Sequence, residues 1–95
     1  MALPFDARVI VPEQVLFQEL EGESVLLNLD TETYFGLDDV GTRMWEALTG
    51  SDAIESAYNS LLTMYDVSPE ELRQDLTELV EQLLDKGLLS LEHES

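Results

Sequence analysis

Residues 25–48 read VLLNLDTETYFGLDDVGTRMWEAL, and the order of patterns within them sets the architecture. Val25, Leu27 and Leu29 alternate with Leu26 and Asn28, so the run is a strand with two distinct faces. Asp30-Thr31-Glu32 forms a polar turn without glycine, and Thr33-Tyr34-Phe35-Gly36-Leu37 is a second β-rich run. Phe35 and Leu37 fall on one side of this strand and Tyr34 on the other. At Asp38-Asp39 the apolar period changes from 2 to 3.6. Val40, Met44, Trp45 and Leu48 then mark one face of a helix over about 39–48, with Gly50 expected as the C′ residue.

Reading outward from this stretch extends both halves. Upstream, Val15 to Leu20 is β-rich, and Glu21-Gly22-Glu23 reads as a hairpin turn with Gly22 at positive φ. Residues 1–13 hold Pro4, Pro12 and Val9-Ile10-Val11, which form an arm or an edge strand. Downstream, Asp52 and Glu55 have the spacing of a capping box, followed by Ile54, Ala57, Tyr58, Leu61, Leu62 and Tyr65 at helical intervals. Ser68-Pro69-Glu70-Glu71 opens a third helix: Ser68 caps, Pro69 takes the first helical position and Glu71 reaches back. Leu72, Leu76, Leu79, Val80, Leu83 and Leu84 follow, and Gly87 ends the helix. Leu88 to Leu91 leaves extended, and residues 92–95 are expected to be a mobile tail. The sum is one α+β domain over residues 1–95, winged-helix-like, with a three-stranded antiparallel meander followed by three helices.

Composition removes several functions. With 21 acidic residues against four basic ones, the formal net charge is −17. Such a surface repels nucleic-acid phosphates and anionic membranes, which are bound through Lys and Arg. The third helix would otherwise sit where a recognition helix does, but 70–78 carries four acids and one Arg. No run approaches the ~20 apolar residues of a membrane span, and no basic n-region precedes an apolar one, so a cytoplasmic protein is expected. Without cysteine there are no disulfides or thiolate metal sites. The single histidine, His93, lies near the end of the chain, and no Ser–His–acid set is evident. A calcium loop starting at Asp30 fails, because Phe35 and Gly41 stand where Gly and Glu are needed. An acyl-carrier reading fails for want of Asp-Ser-Leu. The expectation is a protein with no catalysis, no metal and no cofactor. The acidic surface is either a solvated coat or a docking face for a basic partner.

A binding role remains. The last strand of a meander has a free edge to which an extended peptide can add. Gly36 leaves space there for close approach. The apolar stripe of the third helix is wider than a core contact needs, so its margin either lines a groove or belongs to the core with the rest.

The segments VLLNLDTETYFGLDDVGTRMWEALTG, DVSPEELRQDL and LLDKGLL, in that order, resemble the PqqD-like family of peptide-binding domains, also called RiPP recognition elements. The resemblance runs from Val15 to Leu89 and is closest to the stand-alone proteins of lasso-peptide pathways. It implies that the leader of a ribosomally made precursor peptide adds antiparallel to the strand 33–37 and rests between it and the third helix. It also implies presentation of that leader to a maturation enzyme, such as a leader peptidase or a modifying enzyme. Carried over, the peptide-binding positions are Thr33, Tyr34, Phe35, Gly36 and Leu37 on the strand, and Leu72, Asp75, Leu76 and Leu79 on the helix. The family often has Gly where Thr33 stands and Asn at Asp38, where Asp still caps. An acidic adaptor that docks an enzyme without a peptide of its own is the alternative, and a homodimer stays open.

Overall fold

A computed structural model describes residues 3–92. Its strands are β1 (Arg8–Ile10), β2 (Val15–Leu20), β3 (Glu23–Asn28), β4 (Thr33–Leu37) and β5 (Ser90–Glu92), and its helices α1 (Asp39–Thr49), α2 (Ile54–Met64) and α3 (Pro69–Asp85). The expected meander is present as an antiparallel sheet in the order β2-β3-β4, followed by three helices. A second antiparallel pair, β1-β5, joins the two ends of the chain, with Arg8 opposite Glu92. Thus Glu92 is in a strand, while His93 and the rest of the expected tail lie outside the described residues.

The β2-β3 turn has only two residues, Glu21 (φ 55°) and Gly22 (φ 88°). Two positive φ values make a type I′ turn, whose twist suits a hairpin. Glu23 has already entered β3, opposite Leu20. The β3-β4 turn is held differently. Buried Asn28 accepts hydrogen bonds through Oδ1 from the Asp30 N–H (2.9 Å) and the Thr31 N–H (3.3 Å). Its Nδ2 donates to the Gly87 carbonyl at 3.0 Å. The Asn28 side chain thus braces the turn and ties it to the end of α3, while Glu32 takes the left-handed conformation (φ 56°) that glycine usually supplies.

Ser24, Leu26 and Asn28 form the inner face of β3. Leu26 is fully buried between its cross-strand partners Phe17 and Phe35. Trp45 is 4% exposed and stacks on Phe17 with centroids 5.7 Å apart. Buried Thr42 and Ser24 satisfy each other through their hydroxyls at 2.8 Å. Leu48, Ile54, Leu61, Leu76, Val80 and Leu83 complete the centre of the core. The buried stripe of α1 is Thr42, Met44, Trp45 and Leu48, whereas Val40, expected on it, is exposed.

The helix ends depart from the sequence reading in two places. Gly50 is the C-cap of α1 at φ −93°, not a left-handed C′ residue. No side chain caps α2, whose N-cap is Ala53. Instead the N-terminal arm supplies the acceptors: Ile54 N–H donates to the Ala7 carbonyl (2.9 Å) and Glu55 N–H to the Phe5 carbonyl (2.7 Å). Main-chain carbonyls from a distant segment replace the Asp52–Glu55 box. The arm is anchored by Phe5, which lies under the Arg73 guanidinium at 3.8 Å and edge-on to Tyr58 at 6.0 Å. At α3 the reading of Ser68 and Pro69 holds: Ser68 Oγ accepts from the Glu71 N–H at 3.1 Å and Pro69 begins the helix, while the expected return bond from the Glu71 carboxylate is not made. Its far end is a Schellman motif. Gly87 has φ 70°, its N–H donates to the Leu84 carbonyl, and Leu88 N–H donates to Leu83.

Candidate functional site: the β4 edge and the α1–α3 cleft

Hydrogen-bonding direction along β4 follows from the register. In a two-residue hairpin the residues flanking the turn form a hydrogen-bonded pair, and such pairs alternate along the ladder. Leu20–Glu23, Gln18–Val25 and Leu16–Leu27 are therefore the bonded pairs of β2 and β3. Ser24, Leu26 and Asn28 then turn their main-chain groups toward β4, where they face Leu37, Phe35 and Thr33. Tyr34 and Gly36 are left with N–H and C=O pointing away from the sheet. Both are exposed, Tyr34 at 69%. The edge thus offers two donor–acceptor sets spaced as an added antiparallel strand requires.

Side-chain directions divide the expected strand positions. Thr33 and Phe35 are half-buried on the inner face, and Leu37 is buried in the core. Tyr34 and Gly36 belong to the outer face. Of the helix positions, Asp75 is exposed and Leu79 half-buried. Leu72 (3%) and Leu76 (0%) are core residues and are not among those that line the α1–α3 cleft. This corrects the sequence reading: the centre of the α3 stripe packs inward, and only its margin reaches the surface.

That margin meets the start of α1. Asp38, Val40, Gly41 and Met44 face Asp75, Glu78, Leu79 and Gln82 across a shallow cleft of about 270 Å³. Leu79, Val40 and Met44 give it an apolar floor, and all of its ionisable residues are acids. Asp38 Oδ1 also caps α1, accepting from the Gly41 N–H at 2.7 Å. The helical period places Val40 on the core face, but in the first turn of α1 it is exposed and lines the cleft instead. Gln82 carries no pattern signal, because nothing in a helical repeat distinguishes it from other exposed positions.

Elsewhere, Arg43 is bound to Glu46 and, at 3.2 Å, to Glu19, and its guanidinium is held above its usual range, first by Glu46. Arg73 pairs with Glu55 at 3.8 Å. Two of the four cations are therefore engaged away from the cleft. Among the described residues no cluster of His, Cys, Asp and Glu is arranged to hold a metal, and no helix is long and apolar enough to cross a membrane.

No curated protein matches the sequence. Two solved structures do resemble the fold. One is TbiB1 in complex with the TbiA(beta) leader peptide, at 32% identity and a TM-score of 0.80 over 88% of this chain and 98% of the other. The second is lasso peptide synthetase B1 complexed with the leader peptide, at 19% identity and a TM-score of 0.79 over 88% and 99%, a likeness of fold. The family model described as coenzyme PQQ synthesis protein D (PqqD) matches residues 23–89, which hold β3, β4 and all three helices. The chain belongs to the PqqD family.

Proposed function

We infer that the protein binds the leader segment of a ribosomally made precursor peptide and presents it, without catalysis, to a maturation enzyme in the cytoplasm. The observation that carries this reading is the match, along nearly the whole of both chains, to a protein whose structure contains a leader peptide. The open β4 edge supports it, because Tyr34 and Gly36 supply main-chain partners for an added strand. In such a strand, alternate side chains point to the inner side, toward the cleft of Leu79, Val40 and Met44. The remaining side chains lie on the outer face with Tyr34. Acids around the cleft favour Lys or Arg in the leader or in the enzyme that receives it.

The test is a titration of ¹⁵N-labelled protein with a panel of lasso-precursor leader peptides that includes the TbiA(beta) leader. Amide shifts should concentrate in Thr33 to Leu37 and in Asp75 to Leu79. Shifts on β2, the other open edge of the sheet, with none on β4, would refute the site. If no member of the panel binds, the leader-binding reading itself fails and the acidic adaptor takes its place.

A further inference from the structure

Gly36 is not demanded by its own backbone. Its φ lies outside the left-handed region, and a Cβ built on it meets nothing within 4 Å. Glycine in a strand weakens it, so its presence at an edge calls for a use of the empty space. That space is large. Beside Gly36 is a recess of about 560 Å³, walled on the outer face of the sheet by Gln18, Leu20, Glu23 and Val25 and reaching Ser24, Leu37 and Asp38 where β4 ends. Its apolar walls are exposed to solvent: Leu20 is 73% and Val25 45% accessible. The outer-face walls of this recess lie on the side of the sheet away from α1, and Asp38 at the end of β4 borders both the recess and the α1–α3 cleft.

Resting on the leader-binding reading, we propose that the recess is a second specificity pocket, filled by a large apolar side chain, preferably aromatic, of the leader residue paired with Gly36. Strand addition itself selects this occupant. The main-chain groups of Gly36 point outward, so the leader residue opposite it is a hydrogen-bonded partner. Paired residues share a face, which puts that side chain on the outer surface next to Gly36. A ring there crosses the missing Cβ, covers the bare backbone and packs on Val25, the partner of Gly36 within the sheet. Glu23 and Asp38 at the rim exclude an acidic side chain. Leader residues one position away face the inner cleft, so the peptide is held from both sides of the sheet.

The experiment pairs two protein variants with an alanine scan of whichever panel peptide binds the wild type. Gly36→Val fills the recess with a residue suited to strands, and Leu20→Ser removes an exposed apolar wall. Both should melt close to the wild type. In wild-type protein, one large apolar leader residue should lose about tenfold or more in affinity when cut to alanine. The same truncation should cost little against Gly36→Val, which should itself bind about tenfold more weakly, and Leu20→Ser should fall between. Unchanged affinity of Gly36→Val, or truncation losses that are the same in all three proteins, would overturn the pocket while leaving leader binding intact. Absence of binding to wild-type protein would overturn both.

Discussion

Proline at two adjacent positions of β4 should separate binding from folding. Tyr34 directs its N–H away from the sheet, and its side chain is 69% exposed. Tyr34→Pro therefore removes no ladder hydrogen bond and forfeits mainly the cross-strand contact with Leu27, about 0.2–1 kcal/mol. A domain of this size has a total stability of roughly 5–14 kcal/mol, so the variant should fold. An added strand would lose one donor and keep an unpaired carbonyl, which costs about 1–3 kcal/mol, roughly 5- to 150-fold in affinity. Phe35→Pro is the opposite case. Its N–H is directed at the carbonyl of Leu26, the centre of the inner face. Orphaning that carbonyl costs about 1–3 kcal/mol, and losing the half-buried ring roughly 1.5–3 kcal/mol more. Its melting temperature should fall by more than about 10 °C. Calorimetric titration with the panel peptide that binds best, beside thermal melts followed by circular dichroism, measures both quantities. A folded Tyr34→Pro that binds as the wild type does, or a Phe35→Pro no less stable than Tyr34→Pro, would refute the assignment of the edge.

Three further outcomes follow from the packing. Trp45→Ala should cost about 3–5 kcal/mol, since the indole is buried and stacked on Phe17; a denaturant midpoint near that of the wild type would contradict its place in the core. Leu79→Asp should weaken leader binding severely in a folded protein and Asp75→Asn only modestly, the latter change shrinking in high salt, whereas Leu76→Asp should not fold. Calorimetry at two salt concentrations checks the ranking, and an Asp75→Asn variant weaker than Leu79→Asp would reverse the reading of the cleft. Phe5→Ala should destabilise by about 3 kcal/mol and expose the first amides of α2 to hydrogen exchange, because the ring anchors the arm whose carbonyls receive Ile54 and Glu55; unchanged exchange there would count against this.

Several features were legible in the linear sequence because they depend on neighbours. The alternation of Val25 to Leu29, the hairpin at Gly22, the Ser68-Pro69 start of α3 and the stop at Gly87 each use contacts within a few residues. They were enough for the order of strands and helices and for the burial of Trp45. The family resemblance, in turn, pointed to the strand 33–37. Periodicity locates the apolar side of α3, but it does not say how much of that side another element covers. Leu72 and Leu76 therefore read as groove residues, whereas the fold buries both in the core and leaves Leu79 alone of the three at the margin. The cap of α2 was hidden for the same reason, because its acceptors come from Phe5 and Ala7, nearly fifty residues away. The two outward main-chain sets of β4 were fixed by a register that runs back through β3 to the turn at Glu21-Gly22. The recess beside Gly36 needs Gln18, Leu20 and Val25 from two other strands. Local sequence determines which element forms, through propensity and capping. Which of its faces remains open is decided by what the rest of the chain packs against it.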